Sequence, residues 1–185
     1  MKSRIQFPSV LLLVTAFALA AATLPVSAQS RGALEADAKR AYGNLIATVP
    51  AAKALGKDAV AVLVFPKIIK AGLIVGGQSG DGVLFRSGKA AGYYNTSGAS
   101  YGLQAGAEKF GYAMFFMNEK ALKTLTETDG FEVGVGPSVT VIDEGMAKSV
   151  TTMTMKDDVY AFVFGQKGLM AGVGLKGNKI TRLAK

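Results

Sequence analysis

Lys67-Ile68-Ile69-Lys70 is the segment whose residue types and spacing best suit a chemical task. Lysines three positions apart share one face of a helical turn, and here two isoleucines lie between them. Such a group can touch a lipid headgroup with its ammonium ions while the aliphatic side chains dip toward the acyl chains. The plainer reading puts Ile68 and Ile69 in a core and leaves the lysines solvated.

Other chemistries are excluded by composition. The chain has no histidine and no cysteine. It therefore lacks the commonest general base, proton shuttle and zinc ligand, and can build neither a Ser-His-Asp nor a Cys-His arrangement. No Ser-x-x-Lys occurs after residue 28 to support a lysine base. The carboxylate pairs Asp143-Glu144 and Asp157-Asp158 fall between expected strands and read as solvated turns, as does Asp81 within Gly80-Asp81-Gly82. Gly172-Val173-Gly174-Leu175-Lys176-Gly177 spells a dinucleotide fingerprint. Only eight residues follow it, too few for the helix and acidic residue that the mechanism needs. Asn95-Thr96-Ser97 is a weak glycosylation string. No enzyme activity, cofactor or metal is expected.

The elements that must position the lysines begin after a targeting segment. Lys2 and Arg4 precede an apolar run from Val10 to Ala22, and Pro25 and Val26-Ser27-Ala28 follow it. That order predicts a signal peptide over 1–28, cleaved after Ala28, and a single domain over 29–185. Removing Lys2 and Arg4 takes the formal charge from +8 to +6. Without cysteine there is neither a disulfide nor an acylation site for a lipoprotein. The protein is expected to be exported, periplasmic or extracellular, and peripheral to a membrane. An excess of positive charge favours anionic partners, and for an exported protein lipid headgroups fit better than nucleic acid.

Leu34, Ala38, Ala41, Leu45 and Val49 form one stripe, which predicts a helix over 31–49 capped by Ser30 and stopped by Pro50. A short turn of helix over 51–55 follows. Residues 59–65 read as a buried strand ending at Pro66. Short glycine-punctuated strands are expected at 71–77, 81–87, 90–95, 100–108, 111–117, 131–135, 138–142, 149–155, 159–164, 169–175 and 178–183. One helix, capped by Asn118 and running from Glu119 to Thr126, interrupts them. The class is α+β: mostly antiparallel strands, closed or strongly curled into a barrel or sandwich, with N-terminal helices and one inserted short helix.

Several ordered blocks resemble one family. They are Phe65-Pro66 with Lys70-Ala71-Gly72, then Gly76-Gly77 with Gly80-Asp81-Gly82-Val83, and Tyr101-Gly102-Leu103-Gln104-Ala105-Gly106. Gly134-Val135-Gly136-Pro137 and Gly168-Leu169-Met170-Ala171-Gly172-Val173, followed by Gly177, complete the set. In order and approximate spacing these resemble the SYLF domain, also called the Ysc84 actin-binding domain, over roughly 59–183. The resemblance implies a non-enzymatic lipid-binding module with a basic N-terminal helix. By that analogy 31–57 is the N-terminal region, with Lys39, Arg40, Lys53 and Lys57 as its basic residues beside Lys67, Ile68, Ile69 and Lys70. Gly92-Tyr93-Tyr94-Asn95 departs from a turn that eukaryotic members carry. Export sets actin and phosphoinositides aside and leaves a bacterial anionic phospholipid or membrane surface as the expected partner. An integral outer-membrane β-barrel and a protein-protein scaffold of the envelope are the alternatives, and the sequence leaves lipid identity and oligomeric state open.

Overall fold

The computed structural model describes residues 29–72, 75–101, 106–128, 130–142, 156–165, 168–169 and 174–184. The segment expected to be a signal peptide, Asp143-Glu144 and the strand expected at 149–155 lie outside the described residues. So does most of the strand expected at 169–175.

The helices follow from local signals. Ala33 N–H donates to the Ser30 hydroxyl at 3.3 Å and opens α1, Arg31–Thr48. Leu34, Ala38 and Leu45 are buried on it. Pro50 then starts α2, Pro50–Asp58, at the helix position that needs no N–H. Ala121 N–H donates to the Asn118 side-chain oxygen at 2.8 Å and opens α3, Glu119–Glu127.

Among the described residues, several of the short strands expected from the glycines merge into longer ones. The strands are β1 (Ala61–Gly72), β2 (Val75–Arg86), β3 (Lys89–Tyr101), β4 (Gly106–Phe116), β5 (Phe131–Glu132), β6 (Val139–Ile142), β7 (Val159–Gly165), β8 (Gly168–Leu169) and β9 (Lys179–Arg182). They form one curled sheet in the order β5-β9-β3-β2-β1-β4-β7-β6, with β8 on β7. All described pairings are antiparallel except β6 with β7. The fold is α+β, as expected.

Two expectations about β1 and β2 need correction. Pro66 does not end its strand. β1 continues through it by a bulge that inserts one extra residue: Phe65 faces Tyr112 on β4, whereas Ile68 already faces Phe110. A proline is tolerated there because a bulge leaves its position unpaired. The Lys67–Lys70 stretch is therefore extended chain rather than a helical turn. Likewise Gly80-Asp81-Gly82 lies inside β2 and makes no turn. Gly80 sits so close to the bulge that a Cβ there would come 3.1 Å from the Ile68 Cα, so close approach, not turning, explains the glycine.

The sheet has a core on each face. Leu63, Phe65, Ile68, Tyr112, Met114 and Phe116 point inward and pack with Leu122 and Leu125 of α3 and with Ile180 of β9. Val62, Val64, Ala113, Phe115 and Phe162 point outward and pack beneath Leu34, Ala38, Leu45 and Leu55 of the N-terminal helices. α1 is also fastened at its start. Arg31 lies 5.0 Å from the Tyr93 ring centroid and donates to the Ala184 carbonyl at 2.7 Å, and the Tyr93 hydroxyl donates to Glu35. Helix α1 is thus a fixed wall on the outer face of the sheet.

Candidate functional site

A groove of about 800 Å³ runs between α1 and the sheet beside the β1 bulge. Its floor is apolar: Ala41 and Leu45 come from α1, Val49 from the junction of α1 and α2, Pro66 from β1, Phe110 and Gly111 from β4, and Phe164 from β7. Its rim is cationic, with Arg40 from α1, Lys67 from β1 and Lys109 from β4. The bulge is what brings Lys67 to this wall. It shifts the alternation of β1 by one residue, so that Ile68 returns to the inner core while Lys67 stays outside.

The rim carries one carboxylate as well. Arg40 Nη1 donates to Asp37 Oδ1 at 2.9 Å, and Gln29 Nε2 donates to Asp37 Oδ2 at 2.8 Å. Asp37 therefore offsets Arg40, while Lys67 and Lys109 have no ion-pair partner among the described residues. Three cations against one anion around an apolar floor suit an amphiphile with a negative headgroup.

Of the eight residues singled out from sequence, the structure brings Arg40 and Lys67 together at this groove. Ile69 is 45% exposed and pairs directly with Lys109 across strands, so it adjoins the same rim. Ile68 is wholly buried in the inner core and is not available to a ligand. Lys39 is on α1, 4.0 Å from Glu35, and Lys53 and Lys57 are exposed on α2; none of the three lines the groove.

Lys70 is turned to the other face of the sheet. It pairs in register with Gln78 and Glu108, and its ammonium is 3.7 Å from the Glu108 carboxylate. Gln78 belongs to a buried polar cluster, donating from Nε2 to Asn178 Oδ1 at 2.7 Å. In the same inner region the Tyr112 hydroxyl donates to Thr96 Oγ1 at 2.7 Å. Burial pushes the Tyr112 phenol far above the usual tyrosine range, and its contacts with Thr96 and Asn178 only partly offset this, so it is a permanent donor.

Lys109, Gly111 and Phe164 are site residues that the sequence reading missed. The available signal was Gly111 set between the aromatic residues Phe110 and Tyr112 of β4, a mark of close backbone approach. The pair Asp157-Asp158 is structural. Asn118 Nδ2 donates to Asp158 Oδ1 at 2.8 Å, the Ser138 amide donates to Asp158 Oδ2 at 3.2 Å, and the Thr140 hydroxyl donates to Asp157. Asp81 is exposed and accepts from Asn95 Nδ2 at 2.7 Å.

The model of the Ysc84 family, described as Las17-binding protein actin regulator, matches residues 97–184. The matched span includes β4 and β7, which supply Lys109 and Phe164, and leaves out α1 and β1. No curated protein matches the chain significantly.

Proposed function

We propose that this chain, whose residues 97–184 match the Ysc84 (SYLF) family model, is a non-enzymatic module that binds anionic phospholipid at the groove between α1 and β1. The family is one of lipid- or actin-binding modules rather than of enzymes. The observation that carries the reading is the convergence of Arg40, Lys67 and Lys109 on a single apolar groove from three different elements.

In this reading the ammonium ions of Lys67 and Lys109 hold a lipid phosphate, and Arg40 joins them while remaining tied to Asp37. Acyl carbons lie along Leu45, Val49 and Phe164. Each cation near an anionic surface contributes about 1 kcal/mol, and the term fades as salt shortens the Debye length. Binding is therefore reversible and salt-sensitive. We further take the protein to be exported and peripheral to the bacterial envelope, which removes it from actin. An integral barrel fits less well, because the outer face of β1, β4 and β7 is buried under α1 and α2 where a membrane wall would face lipid.

The test is co-sedimentation with phosphatidylglycerol vesicles, with phosphatidylcholine vesicles as the comparison. Binding is expected to the anionic vesicles and to weaken with salt. Replacing Lys67 and Lys109 by glutamine should lower affinity by roughly tenfold or more at low salt. Equal binding to both vesicle types, or no loss in the double variant, would rule the groove out.

A further inference from the structure

The sheet pairings place six residues in one row around the outer face: Lys109 opposite Ile69, Ile69 opposite Ser79, Ser79 opposite Ser97, Ser97 opposite Lys179, and Lys179 opposite Glu132. Every one of them is exposed. Beyond this row, toward the end where β1 finishes at Gly72, the chain leaves β5 through Val133 into the Gly134-Val135-Gly136 turn. Gly177 reaches the same end beside it, since its N–H donates to the Val133 carbonyl at 2.8 Å.

Val135 is 61% exposed at the tip of that turn. The turn is held at its base. Val133 is 3% exposed, its N–H donates to the Asn178 carbonyl at 2.9 Å, and Asn178 is itself buried and bonded to Gln78. Gly134 and Gly136 have φ of 96° and 95°, a region that disfavours side chains, so the backbone projects Val135 outward by construction. The stem of Lys176 passes beside the turn, close enough that a Cβ on Gly134 would lie 3.0 Å from its Cγ.

A single exposed aliphatic residue is ordinary. Here two of the three large exposed hydrophobic residues among the described residues, Ile69 and Val135, lie toward one end of the sheet on different strands; Lys109 is the cross-strand neighbour of Ile69, while Lys176 and Lys179, the latter opposite Glu132, flank the Val135 turn. We propose that this end of the protein is a second lipid-contact surface, in which Ile69 and Val135 enter the headgroup layer of an anionic bilayer while Lys109, Lys176 and Lys179 meet its phosphates. The inference rests on the lipid-binding reading above and adds an orientation: the molecule meets the bilayer end-on, with Lys109 common to the groove and the tip. The third exposed hydrophobic residue, Leu183, whose N–H bonds the Tyr93 carbonyl, follows β9 toward the opposite end and stays in water.

The chain has no cysteine, so Val135→Cys, Ile69→Cys and Leu183→Cys each give one labelling site for an environment-sensitive fluorophore. Each labelled protein is mixed with phosphatidylglycerol vesicles, and sedimentation reports the bound fraction independently. The expected result is a blue shift with increased emission at 69 and 135 and none at 183. Separately, Val135→Asp should weaken vesicle binding about tenfold with an unchanged melting temperature. Bound protein without a shift at 135 overturns the end-on orientation and leaves the groove reading standing. An equal shift at 183 overturns it too. Failure to sediment with vesicles at all removes the lipid reading and this inference with it.

Discussion

Gly111 lies directly beneath the Phe65 carbonyl: a Cβ built on Gly111 would stand 2.7 Å from that oxygen and 2.9 Å from the Pro66 oxygen. The β1 bulge and the β4 backbone therefore share a space that admits no side chain. This contact sets the depth of the groove, because Gly111 and Pro66 both line it. Gly111→Ala must push either the bulge or β4 aside, and overpacking of a rigid core costs about 1–3 kcal/mol. Urea denaturation checks it, and an unchanged midpoint would mean that the bulge yields freely.

Tyr112 and Thr96 are both wholly buried and are joined by one hydrogen bond. Tyr112→Phe leaves the Thr96 hydroxyl without that partner, at a cost of about 1–3 kcal/mol. Removing both hydroxyls with Tyr112→Phe and Thr96→Val should be less damaging than the sum of the single changes, since no buried polar atom of the pair is then orphaned. A double-mutant cycle by chemical denaturation measures the coupling. A coupling near zero would show that the bond contributes nothing to the fold.

What the sequence revealed and what it hid divide along the range of the information. The three helices were legible because Ser30, Pro50, Asn118 and the Leu34–Val49 stripe act within a turn or two of themselves. Strand content and curling were legible from composition. Strand lengths were not. Gly80 and Pro66 punctuate a sequence in the same way whether they make a turn or a bulge, and only the pairing of β1 with β2 and β4 decides which. The groove was half visible for the same reason. Arg40 and Lys67 stood in basic segments, but Lys109 reaches them only because β4 pairs with β1 instead of with its sequence neighbour β3. Ile68 and Lys70 were misplaced because one inserted residue reverses which side chains face out.

Lys67 and Lys70 are three residues apart and serve opposite faces of the sheet, one at the groove rim and the other against Glu108. Lys67→Gln should lower affinity for phosphatidylglycerol vesicles about fivefold, whereas Lys70→Gln should change it less than about twofold. Co-sedimentation of the two variants side by side checks the assignment. Similar losses would mean that general charge, not the groove, governs binding.

Asp158 joins three elements, accepting from Asn118 at the start of α3 and from Ser138 just before β6, while its own residue precedes β7. The bond from the Asn118 side chain, followed by that from the Ser138 amide, holds its carboxyl below the usual aspartate value of 3.8. A carboxylate with a depressed folded pKa stabilises the fold fully above its unfolded value, and that contribution disappears as pH falls through the folded one. The loss therefore belongs to the range below about pH 4, and stability above it is insensitive to this group. Protonation also weakens the acceptor that orients Asn118, whose other side-chain atom caps α3. Asp158→Asn should lower the melting temperature at neutral pH and flatten the acid limb of its pH profile. Thermal melts from about pH 3 to 7 decide it, and a variant that keeps the wild-type acid limb would place the acid sensitivity in another carboxylate.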